Sequence, residues 1–225
     1  AGQIGLIFAM DWSIGGIYGL VFAACIGMPL SILLGIVAGS VLNRARGREM
    51  VTSYILAFFF NGIYQFFVLY ILGSVIPMHN KAIMLSRGYG VRNTLELAPV
   101  RQMLDTAIPL SIAGFRIPLL SYLIIIALCF FIVWFRKTKL GQDMRAIGQN
   151  QTVAMASGIA VERTRIISIV ISTALACIGQ IIFLQNMGNM STYNAHDQTG
   201  FFAAAAILVG GASVNKASIR NVFIG

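Results

Sequence analysis

Five stretches of the chain run without any Asp, Glu, Lys or Arg: 13–43, 51–76, 117–135, 166–195 and 201–215. A helix needs roughly 20 apolar residues to cross a hydrocarbon core of about 30 Å, so the second, third and fourth stretches each predict one crossing. The outer two are harder to count. The first is too long for one straight span and carries Gly27-Met28-Pro29 at its middle, where proline removes a backbone donor and bends or ends a helix. The sequence predicts a break there, either between two short helices or as a kink in one long one.

Polar positions inside these stretches are few. Tyr54, Asn61 and Gln65 recur at spacings of seven and four in the second stretch, which stacks them on one side of a helix. Amides in lipid are costly, so that side is expected to face the interior or a water-filled path, with bonding to another helix as the alternative. Small residues recur as well: Gly15 and Gly19, Gly35 and Gly39, and the set Ser168, Ser172 and Gly179. Such spacings let helix backbones approach closely.

Composition places the chain in a membrane. Hydrophobic residues make up 58% and charged residues 10%, and the mean hydropathy is +0.83. The net charge of +9 does not imply a nucleic-acid partner, because the basic residues sit at span ends. Arg44, Arg46 and Arg48 crowd one short loop, and Arg136, Lys137, Lys139, Arg145, Arg163 and Arg165 bracket another. That bias marks the loops at 43–50 and 136–165 as cytoplasmic and sends 77–116 and 185–198 to the far side.

Catalytic chemistry finds little material here. Cys25, Cys129 and Cys177 fall inside apolar stretches, with no C-x-x-C, and read as packed thiols. His79 and His196 stand alone in external loops, so neither predicts a metal or a proton relay. No catalytic triad or carboxylate pair can be assembled from seven acids and two histidines. The run from Gly210 to Ala217 has the spacing of a phosphate-binding loop, but Asn215 replaces its second glycine and Ala217 its hydroxyl residue. Any ATP chemistry must come from another chain.

Two segments carry more. Asp11, beside Trp12, Ser13, Gly15 and Gly16, is the only acid at the first apolar region. An ionisable group there faces a cavity or a partner, and this one is expected to cap the next helix or to contact solute. The polar insert between the third and fourth stretches holds Thr138, Gly141, Arg145, Ala146, Gly148, Asn150, Ala154, Ala156 and Gly158. Its run from Gln151 to Ser157 predicts a short helix ended by Gly158 in the left-handed position, with Gly148 allowing a tight entry turn.

The insert resembles that of permease subunits of bacterial ABC importers, in the family for simple sugars, nucleosides and branched-chain amino acids. Asp11 and Ser13 resemble the family's G-I-D-L-S-V-G signature, with Met10 and Trp12 as departures. The run from Ala203 through Gly210 and Gly211 to Ser213 resembles its alanine-rich segment, departing at Asn215-Lys216-Ala217-Ser218 where more glycines are usual.

The resemblance implies an all-α, polytopic bundle of the bacterial cytoplasmic (inner) membrane, with the whole of 1–225 as one permease domain and as a piece of a longer permease. It implies a coupling helix formed by Gly141, Arg145, Ala146, Gly148, Asn150, Ala154, Ala156 and Gly158. Its substrate-path candidates are Asp11, Ser13, Tyr54, Asn61, Gln65, Gly210 and Gly211. The implied partners are ABC ATPase subunits, which hold the ATP and magnesium, a second permease subunit in a homo- or heterodimer, an extracytoplasmic solute-binding protein and membrane lipid. The chain itself is expected to carry no cofactor. A simple sugar leads as the solute, with nucleosides or branched-chain amino acids as alternatives and a non-transporting membrane scaffold as the competing class.

Overall fold

Four helices are long and apolar enough to cross a membrane among the residues described by the computed structural model, which are 1–45, 47–106, 109–112, 115–212, 218 and 221. They are α2 (Gly16–Arg44), α3 (Glu49–Phe66, continued by a π-helical turn at Phe67–Ile71), α5 (Leu119–Lys137) and α8 (Val161–Met187). The chain is thus an all-α, multi-pass membrane bundle. The shorter helices are α1 (Gly2–Asp11), α4 (Met103–Thr106), α6 (Lys139–Gln149), α7 (Gln151–Ala156) and α9 (Ala195–Val209).

Of the two alternatives at Pro29, two short helices are ruled out: α2 runs through it as one helix of 29 residues. Proline removes a single donor, and the rest of the ladder is held by neighbours. Ser31 Oγ donates to the Met28 carbonyl at 2.8 Å, and Thr173 Oγ1 of α8 donates to the Ser31 carbonyl at 3.1 Å. At about 43 Å, α2 is longer than the hydrocarbon core is thick, an excess that tilt takes up.

The seam between α2 and α8 explains why α2 stays in one piece. Gly19, Ala23, Gly27, Ser31, Gly35 and Gly39 recur every fourth residue, and all six are buried. A methyl group on Gly35 would lie 2.9 Å from Val170 Cα, and one on Gly39 would lie 3.1 Å from Ile166 Cα. The two backbones therefore touch, as a small-residue stripe permits. The other predicted stripe does not pack: Ser168, Ser172 and Gly179 are exposed, and α8 uses Ile166, Val170, Thr173 and Cys177 instead. Of the thiols, only Cys177 is buried, and Cys25 is on the surface of α2.

Helix α1 covers Gly2–Asp11. It is apolar almost all round, and Leu6, Ile7 and Ala9 are fully buried, as befits a helix wedged into a core. It lies against α2 and α8, with Gly5 against the Ala23 carbonyl and Gly2 against Cys177 and Ile181.

The segment from 72 to 106 folds over this end. Within it, β1 (Thr94–Glu96) pairs antiparallel with β4 (Asn189–Ser191), Leu95 standing opposite Met190. Two further strands, β2 (Pro109–Ile112) and β3 (Phe115–Pro118), form a hairpin before α5. Val68, Leu72, Ile83, Val91, Leu95, Leu97, Val100 and Met190 join α1 in one core. At the opposite end, Arg165 pairs with Glu49 at 3.1 Å and Asn43 Nδ2 donates to the Glu162 carbonyl at 2.8 Å. The arginine-rich loops around 43–50 and 136–165 thus share one end, as their charge predicts.

Candidate functional site

Helix α3 presents Ser53, Ala57, Phe60 and Tyr64 towards α2 and α8, and behind that face lie two adjoining cavities of about 360 and 440 Å³. Gln180 of α8 lines both, and with His196 it also lines a third, of about 640 Å³, between α8 and α9. The middle cavity collects Gln3 from α1, Asn61 and Tyr64 from α3, Gln180 from α8 and His196 from α9. None of its lining side chains is Asp, Glu, Lys or Arg.

These polar groups differ in their partners. Tyr64 Oη donates to the Thr192 carbonyl at 2.6 Å, and Gln3 Nε2 reaches the Ser191 carbonyl at 3.5 Å. Asn61 Oδ1, Gln180 Nε2 and His196 Nδ1 are buried with no partner. The His196 ring sits edge-on to Tyr64 at 5.8 Å, and its Nε2 is 3.4 Å from Asp197 Oδ1. Burial pushes the His196 imidazole below its ordinary range, against the pull of Asp197, and favours the neutral ring.

The polar triple read from the sequence meets this cavity only at Asn61. Tyr54 is 61% exposed, and Gln65 is half-buried and outside the lining. Both lie about 100° or more around the helix from the observed face. Gln3, Tyr64, Gln180 and His196 went unread, because four separate elements, α1, α3, α8 and α9, supply them. His196 is packed rather than alone.

Asp11 is 3% exposed at the end of α1 and does not cap α2, whose N-terminus at Gly15 has no side-chain cap. Its Oδ1 accepts from the backbone N–H of His79 at 2.7 Å and of Asn80 at 2.9 Å, and Oδ2 lies 3.1 Å from His79 Nδ1. It therefore holds the loop that begins the short 3₁₀ turn Lys81–Ile83, and His79 is its partner rather than a lone residue. Ser13 is exposed with φ of +53°, between Trp12 and the start of α2. Asp11, Ser13 and His79 border an outer cleft apart from the amide-lined cavities.

The insert forms two helices, not one. Thr138 caps α6 by accepting from Gly141 N at 3.3 Å, and α6 runs to Gln149 with Gly148 inside it, so Gly148 makes no entry turn. The turn is Asn150, whose Oδ1 accepts from Thr152 N at 3.0 Å and Val153 N at 3.2 Å. Helix α7 ends as expected, with Gly158 at φ +81°, Gly158 N bonded to Met155 O and Ile159 N to Ala154 O, each at 3.1 Å.

Within this hairpin, Gly141 and Ala154 face inward. A methyl on Gly141 would meet the Phe135 carbonyl and, at 2.8 Å, Arg136 Cα; Ala154 is 3% exposed. Arg145, Gly148, Asn150, Ala156 and Gly158 are exposed and Ala146 is half-buried. Val153 and Met155, which the sequence did not single out, stand 59% and 51% exposed. Gly210 and Gly211 end α9 in the same manner as Gly158 ends α7, with Gly211 at φ +84°. The departure at 215–217 lies outside the described residues.

A family model described as "Branched-chain amino acid transport system / permease component" matches residues 3–225. The chain is 37% identical over 90 residues to the nucleoside ABC transporter permease protein NupB of Lactococcus lactis subsp. cremoris (strain MG1363), covering 40% of this chain and 25% of that protein. It is 30% identical over 99 residues to the probable ABC transporter permease protein YphD of Escherichia coli (strain K12), covering 44% and 30%. It is 23% identical over 199 residues to the autoinducer 2 import system permease protein LsrD of the same strain, covering 87% and 56%. The aligned regions thus span from a quarter to just over half the length of these relatives. No solved structure matches.

Proposed function

The chain belongs to the branched-chain amino acid transport system / permease component family, and on that premise we propose that it is the permease subunit of an ATP-driven ABC importer for a small polar solute. The observation that carries this reading is the α6–α7 hairpin. It stands at the arginine-rich end, is stiffened by caps at both ends of α7, and exposes Val153 and Met155. A short rigid helix with apolar side chains in the open suits a socket on a soluble ATPase subunit. In this reading Arg145, Gly148, Ala156, Val153 and Met155 form the contact, while Gly141 and Ala154 mount the hairpin on the bundle.

The adjoining cavities around Gln180 form the solute path, bounded on the partner side by a second permease subunit. An extracytoplasmic solute-binding protein delivers the solute at the end bearing Asp11 and His79. ATP and magnesium act on the ATPase subunits, and this chain contributes the pore rather than the hydrolysis. A simple sugar is the leading solute. The nucleoside reading has its own support, since NupB is named as a nucleoside permease protein and shares 37% identity over 90 residues.

The permease should co-purify with an ABC ATPase subunit from its own host. An assembly in which that ATPase does not bind, although both proteins are folded, overturns the reading.

A further inference from the structure

We propose that Asn61, Gln180 and His196 form a subsite that grips the hydroxyl groups of an uncharged solute and turns zwitterions away. It rests on the permease reading above and adds the chemistry of the cargo. Helix α3 and the consecutive helices α8 and α9 bring these side chains to one cavity of about 440 Å³, within the size range of small-molecule sites. Each holds a buried polar atom with no partner: an acceptor on Asn61, a donor on Gln180 and a ring nitrogen on His196.

Leaving such an atom unpaired costs about 1–3 kcal/mol, so three in one lining call for a ligand that completes them. Terminal amide torsions are broad and roughly two-fold, so turning either amide towards the cavity costs little. A hydroxyl both donates and accepts. One hydroxyl therefore bridges the Asn61 carbonyl oxygen and the Gln180 amide, and a neighbouring one reaches the His196 ring. A carboxylate only accepts and an ammonium only donates. A zwitterion supplies both groups, but it would bring two charges into a lining with no charged side chain, which costs several kcal/mol per ion.

The test uses the permease reconstituted in proteoliposomes with the ATPase subunit that co-purifies with it and a solute-binding protein from its own host, and radiolabelled D-ribose, uridine and L-leucine as probes. Wild type is expected to take up ribose or uridine and to exclude leucine. Asn61→Leu and Gln180→Leu should each cut uptake by about tenfold or more, while the loaded binding protein still stimulates ATP hydrolysis. The near-isosteric Asn61→Asp and Gln180→Glu carry the same expectation should the leucine variants fail to assemble. Leucine uptake by wild type, or unchanged uptake by the variants, overturns the subsite and leaves the permease reading standing. Absence of ATP-driven uptake of any probe by wild type overturns both.

Discussion

At one end of the bundle, the 72–106 segment and β4 bury Ile83, Val91, Leu95, Leu97 and Met190 against α1 and α3. At the other, the α6–α7 hairpin buries only Gly141 and Ala154 and leaves Val153 and Met155 in the open. Both are polar inserts between membrane spans, and composition alone makes them look alike. The first is fastened by its own core and by bonds to the bundle, including Leu97 N to Gly188 O at 2.9 Å and Gln102 N to Gln185 O at 3.0 Å. The second is stiff within itself and lightly mounted. An insert that completes its packing within the chain is architecture, whereas one that keeps apolar side chains free is suited to docking.

The largest expected effect on stability comes from releasing the first insert. Asp11→Ala strips the acceptor from two backbone N–H groups and the His79 ring, and hydrogen bonds to a charged group contribute about 1.5–3 kcal/mol each. A loss of about 3 kcal/mol is expected, read as a lower unfolding midpoint in detergent and as protease cleavage between 77 and 90. An Asp11→Ala protein as stable as wild type would mean that this end is not latched through Asp11. Leu97→Ala, in the same core, should follow at about 2–3 kcal/mol by the same measurement.

Effects at the hairpin should be smaller in stability. Asn150→Ala removes the cap of α7 and should cost about 1 kcal/mol, measured as faster amide exchange at Thr152 and Val153 with the global midpoint unchanged. Val153→Glu combined with Met155→Glu should alter stability by less than about 0.5 kcal/mol, as exposed positions do. Stimulation of ATP hydrolysis by the loaded binding protein should nonetheless be lost. Normal stimulation in that double variant would remove the contrast between the two inserts. Ala154→Lys serves as the control, since it buries a charge within the hairpin and should destabilise the permease itself.

Sidedness completes the comparison without any energetic change. A cysteine in place of Gln149 should react with an impermeant thiol reagent only after lysis, and one in place of Lys81 should react in intact cells. The reverse pattern would exchange the two ends.

Three of the four spans, α3, α5 and α8, were legible because lipid demands a continuous run of apolar residues and leaves little room for another reading, while the first stretch was left between one helix and two. Pro29 left the count open, since one missing donor is a strong break signal in water and a weak one in a helix seated along a small-residue seam, and α2 takes the one-helix alternative. The amides of α3 misled in phase: Tyr54, Asn61 and Gln65 share a side, but the face that lines the cavities is set by Ala57, Phe60 and Tyr64, of which only Tyr64 is polar. Gln180 and His196 have significance only through their neighbours, and periodicity along one helix cannot reveal a meeting of four elements. In the insert, Gly158 was readable because a positive φ after a helix leaves few alternatives to glycine. Gly148 was not, since a glycine inside an exposed helix resembles a turn marker until the cap at Asn150 is seen.

Asn150 ends α6 and begins α7, with no residue between them that belongs to neither. A joint of one residue, braced by its own side chain, has no slack. A push delivered to α7 reaches α6 without first straightening a linker, and α6 rests against α5 and α8. On the permease reading proposed above the hairpin acts as a cranked lever, and lengthening the joint by a pair of glycines after Gln149 would turn a lever into a tether.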